Sequence, residues 1–182
     1  TLGASISAVE LNDFTWAKEK RKVNLIPENE SVAGIRLLSS GGDKDLRSLN
    51  WFHEAQPDSH RVRFYLGDSA NPIVEKIYTL DGGYGITLDV SVSSPQAVNG
   101  IEYDFSAGIA DTEITKDRTK GTEYKVIVYA GNDDTKTTLA KVIKQPLKGA
   151  LNAFGWAALR TKYFTIAMVE TGNQLIRNYQ AS

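Results

Sequence analysis

Ile73-Val74-Glu75-Lys76-Ile77-Tyr78-Thr79-Leu80, then Asp81-Gly82-Gly83, then Tyr84-Gly85-Ile86-Thr87-Leu88-Asp89-Val90-Ser91-Val92 is the stretch that decides the fold class. In its second half Tyr84, Ile86, Leu88, Val90 and Val92 alternate with small or polar residues, a period of two that puts one apolar face on a strand. The first half, Ile73 to Leu80, is rich in β-branched and aromatic residues and reads as a strand too. Asp81-Gly82-Gly83 supplies residues that tolerate positive φ, so the two strands form a hairpin.

Working outward, similar short runs recur at Ser5 to Leu11, Gly34 to Leu38, Arg61 to Leu66, Ile101 to Phe105, Tyr124 to Ala130 and Tyr163 to Val169. Turn-forming clusters separate them: Ser40-Gly41-Gly42-Asp43, Gln56-Pro57-Asp58, Asp68 to Pro72, Ser93-Ser94-Pro95 and Gly131 to Asp134. Lys44 to Trp51 and Asn152 to Thr161 are the best helical candidates, and both are short. The pattern predicts an all-β fold, a mostly antiparallel β-sandwich with at most short helices.

The chain has 182 residues, 41% hydrophobic and 24% charged, which suits a single globular domain over 1–182. A net charge of -1 offers no general attraction for nucleic acid or anionic lipid. No apolar run reaches the roughly 20 residues that span a bilayer, and Thr1-Leu2-Gly3 is not a signal peptide. Opening on Leu2-Gly3-Ala4-Ser5-Ile6 and ending on Gln180-Ala181-Ser182, the chain reads as a piece of a longer protein. Without cysteine there is no disulfide, thiolate metal site or cysteine nucleophile.

Motifs for chemistry are scarce. His53 and His60 are separated by six residues around a turn, a spacing that fits no paired metal ligation, and both read as surface or loop residues. A histidine and a carboxylate such as Glu54, Asp104 or Glu113 would have to converge for proton transfer at a sugar ring, and nothing in the spacing favours it. Asp43-Lys44-Asp45 and Asp133-Asp134 lack the alternating donors and terminal glutamate of a calcium loop and read as hairpin-turn residues. Gly82-Gly83-Tyr84-Gly85 lacks the Lys-Ser/Thr of a phosphate loop, and no Gly-x-Ser-x-Gly elbow is present. The expectation is no catalytic residue, no cofactor and no metal. Of the three tryptophans, Trp16 and Trp51 leave open a sugar-stacking reading, against the commoner fate of core or edge packing.

Trp156 belongs to a more specific pattern. The segment Gly155-Trp156-Ala157-Ala158-Leu159-Arg160-Thr161-Lys162-Tyr163-Phe164-Thr165-Ile166-Ala167 resembles the signature near the end of the periplasmic domain of YidC-type membrane protein insertases. That signature is a Trp, a small apolar stretch, polar residues, then an aromatic pair leading into an apolar strand. Trp156, Tyr163 and Phe164 are its family-motif residues, with a structural role: Trp156 packs as a plug, and Phe164, Ile166 and Met168 share one strand face. Gly3 to Leu11 followed by Val23-Asn24-Leu25-Ile26 is similar to the family's first strands, and Lys76 to Val90 to its central hairpin. The resemblance spans Thr1 to about Val169, with little matched between Asp104 and Lys148.

The resemblance implies a β-super-sandwich of the galactose mutarotase type, on the periplasmic side of the bacterial inner membrane, between the first and second transmembrane helices of the parent protein. It implies a domain that assists insertion and folding of inner-membrane proteins as a structural and partner-interaction module. The implied partners are the SecD and SecF components of the Sec translocon and, through the parent protein, nascent membrane proteins. In the family, insertion itself is attributed to a membrane-embedded groove containing an arginine, and Arg61, Arg63 and Arg160 carry no such role. This chain is shorter than the large family versions and stops soon after Val169, where further strands are expected. The alternative is a carbohydrate-binding or mutarotase-like sandwich, because fold does not fix function. A third reading is a chaperone-like cradle in which an exposed sheet edge or cleft holds an extended peptide by strand addition.

Overall fold

A computed structural model describes residues 2–16, 20–55, 60–94, 97–110, 124–130, 133–138, 147–150, 154–172 and 178–181. The expected turns at Gln56-Pro57-Asp58 and Gly131-Asn132, together with Pro95, Glu113 and Asn152, lie outside the described residues. The elements are β1 (Glu10–Thr15), β2 (Lys22–Asn24), β3 (Gly34–Ser39), β4 (Lys44–Asp45), β5 (Phe52–Ala55), β6 (Arg61–Gly67), β7 (Pro72–Leu80) and β8 (Ile86–Val92), then β9 (Val98–Asp104), β10 (Lys125–Ala130), β11 (Asp133–Thr138), β12 (Leu147–Ala150), β13 (Phe154–Arg160), β14 (Thr165–Val169) and β15 (Asn178–Ala181). The fold is all-β, every strand pair is antiparallel, and no helix occurs among the described residues. The chain divides into two compact units, residues 1–6 with 32–105 and residues 7–31 with 106–182.

In the first unit a three-stranded sheet, β4-β3-β9, and a four-stranded sheet, β5-β6-β7-β8, share one core. Ile35 and Leu37 of the smaller sheet meet Val74, Phe64, Leu66, Val90 and Val92 of the larger, with Leu46 and Trp51 completing the packing. The unit is therefore a β-sandwich, built because each sheet buries one face. The 73–92 hairpin forms as read: Leu80 pairs with Ile86 and Val74 with Val92. Gly82 and Gly83 take φ of 76° and 67° at its turn, and the Thr87 hydroxyl donates to the Asp81 carboxylate.

Four readings of local structure change. The apolar stripe leading into β8 is buried only in part: Val90 and Val92 pack on the core, whereas Tyr84 and Ile86 sit exposed towards the turn. Ser5 to Leu11 is not one strand. Ile6 makes a single bridge to Val32 in the first unit, and β1 begins at Glu10 in the second. The two short helical candidates contain strands, β4 and β13. Alanine-rich β13 is extended because β10 and β14 hydrogen-bond it on both sides, and tertiary pairing outweighs a propensity of tenths of a kcal/mol per residue. Asp133 and Asp134 likewise lie in β11, opposite Ala130 and Tyr129, rather than in a turn.

The second unit holds the sheet β11-β10-β13-β14 and the two-stranded pairs β1-β2 and β12-β15. Leu11, Val23 and Leu25 form its buried cluster, against which Trp16, Ile109, Phe164 and Ile166 pack.

Candidate interaction face

The family-motif segment builds one face of the second unit. Directly opposed residues share a face of a sheet, and the register sets three rows across β10, β13 and β14: Lys125–Arg160–Thr165, Ile127–Ala158–Ala167 and Tyr129–Trp156–Val169. Rows two residues apart along a strand stand about 6.8 Å from each other. The middle row ends in two alanines, so it forms a floor between an aromatic wall and a cationic one. The result is an open cleft of about 510 Å³ whose lining includes Ile127, Trp156, Ala158, Arg160, Tyr163 and Val169.

Each wall has a local cause. Trp156 stacks on Tyr129, ring centroids 5.9 Å apart and planes 13° from parallel. Between Phe154 and Trp156 the register slips by one residue, a bulge that leaves Gly155 beneath the Tyr129 ring. A Cβ on Gly155 would stand 2.5 Å from Tyr129 Cδ1, so only glycine admits the stack. At the other end Lys125 and Arg160 are direct cross-strand partners, and like charges so placed repel. Lys162 follows on the turn, its ammonium 5.2 Å from the Tyr163 ring centre. Thr161 is buried and closes this turn by accepting the Phe164 N–H at 3.1 Å.

Trp156 and Tyr163 thus come to one face, and Phe164 goes to the other. Phe164 sits edge-on to Phe14 at 5.5 Å and packs with Ile166 on the buried cluster. Trp156 is half-buried and lines the cleft, rather than closing into the core as a plug. Val169 is 58% exposed and Tyr163 66%, which leaves the face open. Among the described residues β14 pairs only with β13.

The remaining sequence candidates fall elsewhere. Trp51 is 3% exposed and donates its indole N–H to the Leu46 carbonyl, so burial removes it from any stacking role. Trp16 is half-buried under the Arg21 guanidinium, 5.2 Å from its ring centre. His53 lies exposed on β5 with its ring 6.1 Å from that of Phe64, and the His60 carbonyl accepts the Leu80 N–H. Glu54 accepts from Ser69 and Arg63, which hold its carboxyl below the usual range, Ser69 contributing most. Asp45 is pulled down to about 2 by the hydrogen bonds of Arg47, which also pairs with Asp104. Arg61 is exposed on β6, and Arg63 is committed to Glu75, Glu54 and Ser69. Among the described residues no three His, Cys, Asp or Glu gather to hold a metal ion.

One chemically distinctive residue escaped the sequence reading. Lys76 is fully buried in the first unit, and its ammonium donates to the carbonyls of Ala33 at 2.7 Å, Ala4 at 3.0 Å and Gly3 at 3.2 Å. The Trp51 ring lies 5.4 Å away, and the Tyr78 hydroxyl also donates to the Ala4 carbonyl. Gly3, Ala4 and Ala33 all have positive φ, a cost for the two alanines that the ion cage offsets. Burial lowers the lysine pKa to about 8, so it stays charged at neutral pH, and burial raises that of Tyr78. The phase was visible: Lys76 alternates with Val74 and Tyr78. Nothing in the phase told which face would go inward, since Ile73 and Ile77 occupy the other. Fully enclosed, Lys76 is a strut rather than a nucleophile.

With these elements in place, the comparison with known families is direct: the family model for the YidC periplasmic domain matches residues 1–182, the whole chain. The chain belongs to that family and is an extracytoplasmic part of an inner-membrane insertase. No curated protein and no solved structure matches it. Among the described residues no helix is long and apolar enough to cross a membrane.

Proposed function

We propose that this domain is the non-catalytic partner-interaction module of its insertase, assisting insertion and folding of inner-membrane proteins by docking a protein partner. The SecD and SecF components of the translocon, or a nascent membrane protein, are the partners in this reading, and residues 1–182 serve as one functional domain. The mutarotase-type super-sandwich implied by the resemblance belongs to the same proposal. The observation that supports it most is the open cleft on β10, β13 and β14, where Tyr163 and Val169 stay exposed beside the half-buried Trp156 and the buried Ile127 and Ala158. Exposed apolar surface of this kind, rimmed by charge, marks interaction sites. A sugar-binding role loses support with the burial of Trp51.

The test is photo-crosslinking in the full-length parent insertase, with the reactive residue at Thr165 or Ala167 on this face and, as control, at Asp89 on the exposed outer face of β8. Adducts with a translocon component or a nascent chain from Thr165 and Ala167, and none from Asp89, are the expected result. Equal labelling from all three positions, or labelling from Asp89 alone, counts against the reading.

A further inference from the structure

The cleft is polarised, and its edge is a strand. Its cationic row, Lys125 and Arg160, ends at Thr165; its alanine floor ends at Ala167; its aromatic row ends at Val169. These three ends alternate along β14, all exposed, and together they present a row of positions beside a sheet edge with which no described strand pairs. A strand added to that edge pairs one residue with each of them, and its alternate side chains fall over the cleft. Each position then has its own chemistry. Opposite Thr165, an acidic side chain lies within about 10 Å of the β13 backbone, in reach of Arg160 and the neighbouring Lys162. It relieves the repulsion that the Lys125–Arg160 pair carries. Opposite Ala167, a bulky apolar side chain covers that exposed alanine at the mouth of the cleft. Opposite Val169, an aromatic side chain extends the Tyr129–Trp156 stack.

We infer that the edge of β14 away from β13 receives, as an antiparallel strand, an extended polypeptide segment whose cleft-facing residues read aromatic, bulky apolar and acidic at alternate positions. This rests on the partner-docking reading above and names its site and the sequence chemistry it selects. A peptide is favoured over a lipid because an open strand edge offers backbone N–H and C=O groups, which an acyl chain cannot use. The cleft also crosses only three strands, about 10 Å from β10 to β14, short of an extended acyl chain.

The experiment uses the 182-residue chain and two capped peptides, Ser-Phe-Thr-Leu-Thr-Glu-Ser and the same sequence with Lys in place of Glu. Binding is measured by calorimetry, and hydrogen exchange is followed at the amides of residues 165–169. The acidic peptide is expected to bind about tenfold more tightly than the lysine peptide and to protect those amides. Arg160→Glu is expected to abolish or invert the preference. Lys162→Glu, on an exposed turn, is expected to weaken it and serves if Arg160→Glu fails to fold. Equal affinity for the two peptides, no binding of either up to about 1 mM, or protection confined to other strands overturns the inference. So does binding to phosphatidylglycerol vesicles that the acidic peptide does not displace. If crosslinks from Thr165 and Ala167 persist while the peptides bind alike, partner docking stands and the strand-addition inference alone falls.

Discussion

Lys76 in β7 and the Lys125–Arg160 pair across β10 and β13 are cations set among apolar strand residues, and they meet opposite fates. The Lys76 ammonium is sealed in the first unit because three carbonyls and an indole face replace its water. Taking an ion out of water costs several kcal/mol unless its donors are satisfied. Lys125 and Arg160 face each other on an open sheet, where a neighbouring like charge is tolerated because water screens it. A satisfied buried charge secures local structure, here the turns at Gly3-Ala4 and Ala33. An exposed pair of like charges is a surface that gains from an anionic partner.

The strongest way to break the contrast is Lys76→Met. It keeps much of the volume but leaves the buried Ala33 carbonyl without its donor, while the Ala4 and Gly3 carbonyls keep only the Tyr78 and Ser5 hydroxyls, and a loss of about 2–3 kcal/mol of unfolding free energy is expected. Urea denaturation of the 182-residue chain measures it. The same pair of proteins yields a pH signature. With its folded pKa lowered to about 8 from an ordinary 10.5, Lys76 binds fewer protons in the folded than in the unfolded state between those values. Its desolvation penalty is present in full below pH 8 and is relieved as pH rises towards 10.5. Wild-type stability relative to Lys76→Met should therefore rise across that window, by at most about 1.4 kcal/mol per pH unit. A flat difference would show that the carbonyl cage restores the ordinary pKa.

Smaller effects belong to the open face. Gly155→Ala drives a methyl into the Tyr129 ring, and a loss of about 1–3 kcal/mol is expected, together with a change in near-ultraviolet circular dichroism as the Tyr129–Trp156 stack opens. Arg160→Thr should do the reverse in a modest way. Removing one of two opposed cations is expected to leave stability unchanged or raise it by about 0.2–1 kcal/mol at low salt, an effect that added salt erases. A marked loss instead would mean that Arg160 supports the fold, and that the face is not held open at a cost.

Much of this was legible in the chain itself. The hairpin from Ile73 to Val92 follows from alternation and from Asp81-Gly82-Gly83, both local signals. Likewise β3, β6 and β10 begin or end within a residue or two of the β-branched runs that announced them. Gly155-Trp156 and Tyr163-Phe164 were legible as a family pattern, though not as parts of a cleft. The alternation of Phe164, Ile166 and Met168 was readable, and it implies that Thr165, Ala167 and Val169 share the other face. The pairing of that face with Ala158 and Trp156 was not readable, because register between strands is a long-range property.

By itself, then, the sequence determined the all-β class, the antiparallel hairpin and the family, because period-two patterning, turn residues and motif spacing are written in neighbouring positions. Only the tertiary structure decided that β7 turns Lys76 inward, that Ser5 to Leu11 is divided between two units, and that Trp51 is lost to the core while Trp156 lines a cleft. The physical reason is the same in each case. A strand offers two faces of comparable hydrophobicity, and the choice between them is made by partners distant in sequence: the carbonyls of Gly3, Ala4 and Ala33 for Lys76, and the strands flanking β13 for Trp156.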